Sequence, residues 1–146
     1  RVGLDFNAFA QGYSVDVVSD FLHSKGINSY IVEIGGEVYA HGKKPDGSFW
    51  NIGIEKPIEN KISENPLKAT ANLYNTAIAT SGNYRRFTEI DGVKYTHHID
   101  PKTGYPTKNN LLSASLFAKN CITTDANATG VLVLGYYALK PHPWLL

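Results

Sequence analysis

"SYIVEIGGEVYAHGKKPDGSFWNIGIEKP", residues 29–57, is the stretch that decides the fold class. SYIVEIGG is rich in β-formers and ends on Gly35-Gly36. EVYAHGKK resumes as a second strand, PDGS is a turn, and FWNIGIEKP is a third strand. In order, these read as an antiparallel meander. Strand signals continue downstream. ATANLYNTAIATSGN (69–83) is strand-like as far as its Ser-Gly-Asn break. YRRFTEI, Asp91-Gly92 and VKYTHHID (84–100) form a hairpin with Asp-Gly at the tight turn. LLSASLFAK (111–119) adds a further strand.

Two segments carry helical spacing instead. In GYSVDVVSDFLHSKG, Tyr13, Val17, Val18, Phe21 and Leu22 recur on one face, and Gly26 offers a left-handed stop. This predicts a helix over 12–25 with that face buried. TTDANATGVLVLG (123–135) reads as a second helix with Val131, Leu132 and Leu134 on its apolar side. The polar run from Pro57 to Pro66 is a surface loop and no domain boundary. The sum is an α+β domain: a mostly antiparallel sheet with packed helices, rather than alternating α/β.

The bulk numbers fit one compact domain. There are 146 residues, 42% hydrophobic and 18% charged, which excludes a disordered chain. A net charge of +1 gives no basic field for nucleic acid. The single cysteine, Cys121, excludes an internal disulfide and reads as a buried structural thiol. No apolar run is long enough to span a bilayer. The sequence contains no methionine, so a processed product or a fragment is expected.

Several short motifs could carry chemistry. Asp125 and Thr129 are four apart and share one helix face, offering hard oxygens to a cation such as Mg²⁺. On spacing alone, a helix capped by Thr124 with Asp125 near its positive end is the favoured account of those residues. In LDFNAFAQGY, Asp5 and Gln11 flank small Ala8 and Ala10 before a helix start, where phosphate is attracted; an ordinary strand-to-helix loop would look the same. ATSGNYRR joins a glycine turn to Arg85 and Arg86, which alternate along a strand, so at most one faces any site. In YTHHIDPKTGYP (95–106), strand alternation separates His97 from His98, which argues against a shared metal. One of them could act as a general base, and two half-exposed strand histidines fit as well. Asp100-Pro101 and Thr103-Gly104 then stop the strand and turn the chain.

The order of these motifs says more than any one of them. LDFNAFAQGYSVD, VEIGGEVYAHG, AIATSGNYRRF, YTHHIDPKTGYP and TTDANATGVLVLG follow one another over residues 3–135. In that order the sequence resembles the FAD:protein FMN transferases, the ApbE-type family once called thiamine biosynthesis lipoproteins. The resemblance covers only the C-terminal part of a family member, so residues 1–146 are expected to be that part of a flavin transferase domain of ApbE-like, T-fold-like architecture, with the N-terminal part absent.

The resemblance implies Mg²⁺-dependent transfer of the FMN moiety of FAD to a threonine hydroxyl of a target flavoprotein, releasing AMP. A Mg²⁺-dependent FAD pyrophosphatase and a non-catalytic flavin-binding fragment are the alternatives. It also implies an acceptor flavoprotein subunit of a membrane redox complex. The implied location is the cell envelope, at the periplasmic or extracytoplasmic face of the inner membrane, through an N-terminal anchor outside this sequence. Matched position by position, Asp5, Gln11 and Ile99 fall at FAD-contacting sites. Ala8, through its carbonyl, with Asp125 and Thr129, falls at the metal site, and His97 at the catalytic histidine. The sequence departs from the pattern at His98, where an aliphatic residue is usual. Gln11 replaces a common lysine or glutamate, and the tail YYALKPHPWLL lacks the usual continuation.

Overall fold

The computed structural model describes residues 3–57, 66–83, 87–91, 93–107 and 111–135. Within them a central four-stranded sheet carries helices on one face and a two-stranded sheet on the other. The central sheet is built from β1 (Tyr30–Ile34), β2 (Glu37–His41), β5 (Thr76–Gly82) and β8 (Ser113–Ala118), in the order β1-β2-β5-β8. All of its pairings are antiparallel. Gly35 and Gly36 form the two-residue turn between β1 and β2, closed by the pair Ile34 and Glu37. Both have positive φ, +69° and +107°, the conformation that a tight two-residue hairpin requires and that glycine adopts without strain.

Alternation along β2 sends Glu37 and Tyr39 to one face and Val38 and Ala40 to the other. Val38 and Ala40 join Leu73 and Ile78 in a core covered by Trp50, Ile52, Ile54 and Ala71. These covering residues belong to β3 (Trp50–Glu55) and β4 (Leu67–Leu73), which pair antiparallel. The opposite face meets α1 (Ala10–Ser24) and α2 (Cys121–Leu134), with Val15, Tyr30, Val32, Ala77 and Cys121 buried between.

The predicted α+β class with antiparallel pairing is what forms, but the meander breaks at its third strand. β3 pairs with β4 rather than β2, whose second partner is β5. The strand expected over 69–83 is two strands in different sheets, divided at Tyr74-Asn75, where Asn75 takes φ +49°. Of the expected surface loop, residues 58–65 lie outside the described residues. β6 (Phe87–Ile90) and β7 (Val93–Thr96) form the anticipated hairpin, with Asp91 at φ +50°. Residues 84–86, with both arginines, and Gly92 also lie outside the described residues.

The first helix starts at Ala10 and buries a different face from the one expected. Gly12, Val15 and Ser19 are its buried residues, while Tyr13, Val17, Val18 and Phe21 are exposed. The physical reason is close helix packing. A Cβ on Gly12 would lie 2.4 Å from the Cys121 carbonyl oxygen, so only the small-residue face can meet α2. The cap of α2 also differs. The helix begins at Cys121, so Thr124 lies inside its first turn and donates to the Cys121 carbonyl at 2.8 Å. Asn120 is the capping residue, accepting from the Thr123 amide at 3.1 Å. The Asp16 carboxylate on α1 accepts from the next two free amides, Cys121 at 2.7 Å and Ile122 at 2.8 Å. These bonds satisfy orphan donors of α2 and fix its N-terminus against α1. Val131 and Leu132 are buried as expected, and Leu134 is exposed.

Candidate functional site

Four pieces of backbone converge on the helix side of the central sheet: the start of α1, the middle of α2, the β1–β2 turn and the end of β5. Asp125 is at the centre. It is buried, and its Oδ2 accepts from the Gly12 amide at 2.9 Å, across 113 residues of sequence. Burial raises its pKa above the ordinary carboxylate value, opposed by that hydrogen bond. One turn further along α2, Thr129 Oγ1 lies 3.2 Å from Ser81 Oγ on β5. The i, i+4 spacing of Asp125 and Thr129 therefore does put both on one face, and that face looks onto the sheet.

Glu37, which opens β2, faces the same side. It is only 6% exposed, and its Oε2 is buried without a hydrogen-bond partner. Burial first, then the charge of Asp125, push its pKa up to about 7. Gln11 reaches over the β1–β2 turn: a Cβ on Gly35 would meet Gln11 Nε2 at 2.0 Å and Glu37 Oε2 at 3.3 Å. Glycine at 35 thus leaves room for the Gln11 amide as well as allowing the turn. Ala8 lies half-buried in the turn leading into α1. Asp5 is exposed and accepts from the Asn7 amide at 2.8 Å, an Asx turn that shapes the approach to that helix.

The hairpin supplies the other limb. β7 ends at Thr96, and a second, smaller turn follows, closed by the Ile99–Pro106 bridge and the Thr107 amide bonded to the His98 carbonyl at 2.9 Å. Exposure alternates as strand geometry predicted: His97 and Ile99 face solvent and His98 is buried. The rings of His97 and His98 nevertheless sit 4.0 Å apart, tilted by 42°, because the chain bends at His97 instead of continuing as a strand. His98 Nδ1 lies 2.7 Å from Asn83 Oδ1, an acceptor, which places the proton on Nδ1. Asn83 follows directly on β5 and also bonds Leu111 and Leu112. The chain from Ser81 to Asn83 thus joins the Asp125 cluster to the hairpin. Beside the hairpin, a cleft of about 580 Å³ is lined by Tyr95, Asp100, Tyr105 and Thr107 and by Val133 and Leu134 of α2.

The sequence profile of the ApbE family matches residues 1–140. The chain belongs to the ApbE family. It is 45% identical over 132 residues to the FAD:protein FMN transferase of Vibrio cholerae, covering 90% of this chain and 39% of that protein. It is 41% identical over 135 residues to that of Haemophilus influenzae, covering 92% and 38%. Among solved structures it matches the apo form of Pseudomonas stutzeri flavinyl transferase ApbE with a TM-score of 0.78 and 41% identity, over 92% of this chain and 40% of that one. The chain thus spans about two-fifths of the length of these ApbE relatives, and the matched part of the solved structure has the fold described above.

Within the ApbE fold, Asp125 and Thr129 share a face of α2 with the Gly12 amide on Asp125, Gln11 lies at the β1–β2 turn, and His97 and Ile99 lie on the separate hairpin limb. The oxygen donors of α2 fit a hard cation: a buried carboxylate at Asp125 and a hydroxyl on the same helix face at Thr129. Sequence reading passed over Glu37. Its motif VEIGGEVYAHG was noticed, but a single glutamate after Gly-Gly gives no hint of its burial. The available signal was parity with Tyr39 on a half-buried strand.

Proposed function

We propose that this chain carries the cation-binding and catalytic residues of a Mg²⁺-dependent FAD:protein FMN transferase. The observation that carries the proposal is the buried Asp125, held by the Gly12 amide on the helix face it shares with Thr129. It occurs in a chain 45% identical to a protein named FAD:protein FMN transferase. Asp125, Thr129 and the Ala8 carbonyl would hold Mg²⁺. When bound, the cation supplies charge neutralisation at the FAD pyrophosphate and at the departing AMP.

The protein's own groups do the rest. Asp5, Gln11 and Ile99 contact FAD. Exposed His97 takes the proton from an incoming threonine hydroxyl of the acceptor protein. The threonine oxygen forms a bond to the FMN phosphorus, and the bond from that phosphorus to the bridging oxygen breaks. AMP leaves with the bond's electron pair, and FMN stays on the acceptor as a phosphoester. The acceptor is a flavoprotein subunit of a membrane redox complex, reached at the extracytoplasmic face of the inner membrane.

Incubating the protein with FAD and Mg²⁺, with and without an acceptor flavoprotein, tests this reading. AMP release matched by flavin covalently bound to acceptor is the expected result. AMP matched by free FMN, whether or not acceptor is present, would make the enzyme a pyrophosphatase instead. No AMP under either condition would reject both.

A further inference from the structure

Among the described residues, Glu37 Oε2 is a buried carboxylate oxygen without a hydrogen-bond partner. A buried carboxylate oxygen without a donor carries a large desolvation penalty, and folded proteins rarely leave one. Here the nearest charged influence makes matters worse, since Asp125 is also buried and also an acid. Two acids that repel each other in a low-dielectric space are unfavourable alone and favourable around a divalent cation. Mg²⁺ retains several waters when bound by few protein oxygens, and the protons of those waters need acceptors.

We infer that Glu37 is a positioning residue of the cation site, supplying a second negative charge beside Asp125 and accepting hydrogen bonds from cation-bound water. The inference rests on the reading of Asp125 and Thr129 as cation ligands. Three features support the placement. Glu37 and Tyr39 share the strand face that packs on the helices, where Asp125 lies. The Gly35-Gly36 turn holds Glu37 at the very start of β2. The Gln11 amide lies beside Gly35, at the turn that leads into Glu37.

Calorimetric titration of Mg²⁺ into the wild-type protein, Glu37→Gln and Asp125→Asn tests the inference without relying on turnover. Glu37→Gln should bind Mg²⁺ roughly 10- to 100-fold more weakly, the usual effect of losing a group that supports a metal's ligands. The same variant should melt higher than wild type in EDTA, because a repulsive buried charge has gone. Glu37→Asp, which keeps the charge, should fall between the two in affinity and gives the answer if Glu37→Gln does not fold. Wild-type affinity in Glu37→Gln, alongside weakened Asp125→Asn, would overturn the role of Glu37 alone. Wild-type affinity in Asp125→Asn would overturn the cation site itself. A lower melting temperature of Glu37→Gln in EDTA would show instead that Glu37 pairs with a cationic group, which also overturns the inference.

Discussion

Burial separates His97 from His98 although their rings nearly touch. His98 is 8% exposed, and burial first, then the neighbouring His97, lower its pKa to about 4 from 6.5. The fold therefore favours the neutral ring. The stability gained is fully present above pH 6.5 and is lost as pH falls from there through 4, up to roughly 3 kcal/mol at 1.36 kcal/mol per unit. Urea unfolding at pH 7.5 and pH 4.5 should show this loss in the wild type and a clearly smaller one in His98→Gln. By resemblance only His97 matches the catalytic histidine; in the structure His98 ties the hairpin to β5 through Asn83. That role was illegible because it depends on a contact 15 residues away. The i, i+4 relation of Asp125 and Thr129 was legible because it is local. For His97, the proposed general base, His97→Ala should retain FAD binding by flavin fluorescence while transfer falls by about 10²- to 10⁴-fold. Near-normal transfer would remove it from the mechanism.

At the scale of elements, the contact between α1 and α2 organises the site. Replacing a glycine with alanine in a helix ordinarily gains about 1 kcal/mol. At Gly12 the sign should reverse. The added Cβ would meet a backbone carbonyl at 2.4 Å and the Asp125 Cβ at 2.8 Å, and a backbone atom cannot move aside as a flexible side chain can. Overpacking of this kind costs about 1–3 kcal/mol. Gly12→Ala should therefore lower the urea midpoint and, by shifting the Gly12 amide from Asp125, weaken Mg²⁺ binding. A stabilised Gly12→Ala would mean the helices are not so closely packed. The existence and approximate extent of α1 were legible from spacing. Its buried face was not, because the apolar count pointed to Tyr13, Val17 and Phe21, whereas a close helix contact selects small residues.

Across the whole molecule, strand types were readable and partners were not. β3 follows β2 after a short turn yet pairs with β4 on another layer, since the apolar residues Trp50, Ile52 and Ile54 are needed to cover Val38 and Ile78. Such pairing is settled by which faces need burying and not by chain order. The exposed side of α1, with Tyr13, Val17, Val18 and Phe21, leaves a large apolar surface in a chain spanning about two-fifths of its relatives. Surfaces of this kind bind hydrophobic dyes and promote association. This chain should therefore bind anilinonaphthalene sulfonate and self-associate as its concentration rises, and Phe21→Lys should reduce both. Sedimentation of a monomer at all concentrations, with no dye binding, would show the face to be inert.

Under the proposed function, Asp125 and Thr129 hold the cation on which FAD chemistry depends. AMP release from FAD, followed as Mg²⁺ is titrated into wild type and Asp125→Asn, tests it most directly. Wild type should show saturable Mg²⁺ dependence, and Asp125→Asn should lose both the activity and its response to Mg²⁺. An unchanged Mg²⁺ curve in Asp125→Asn would contradict it.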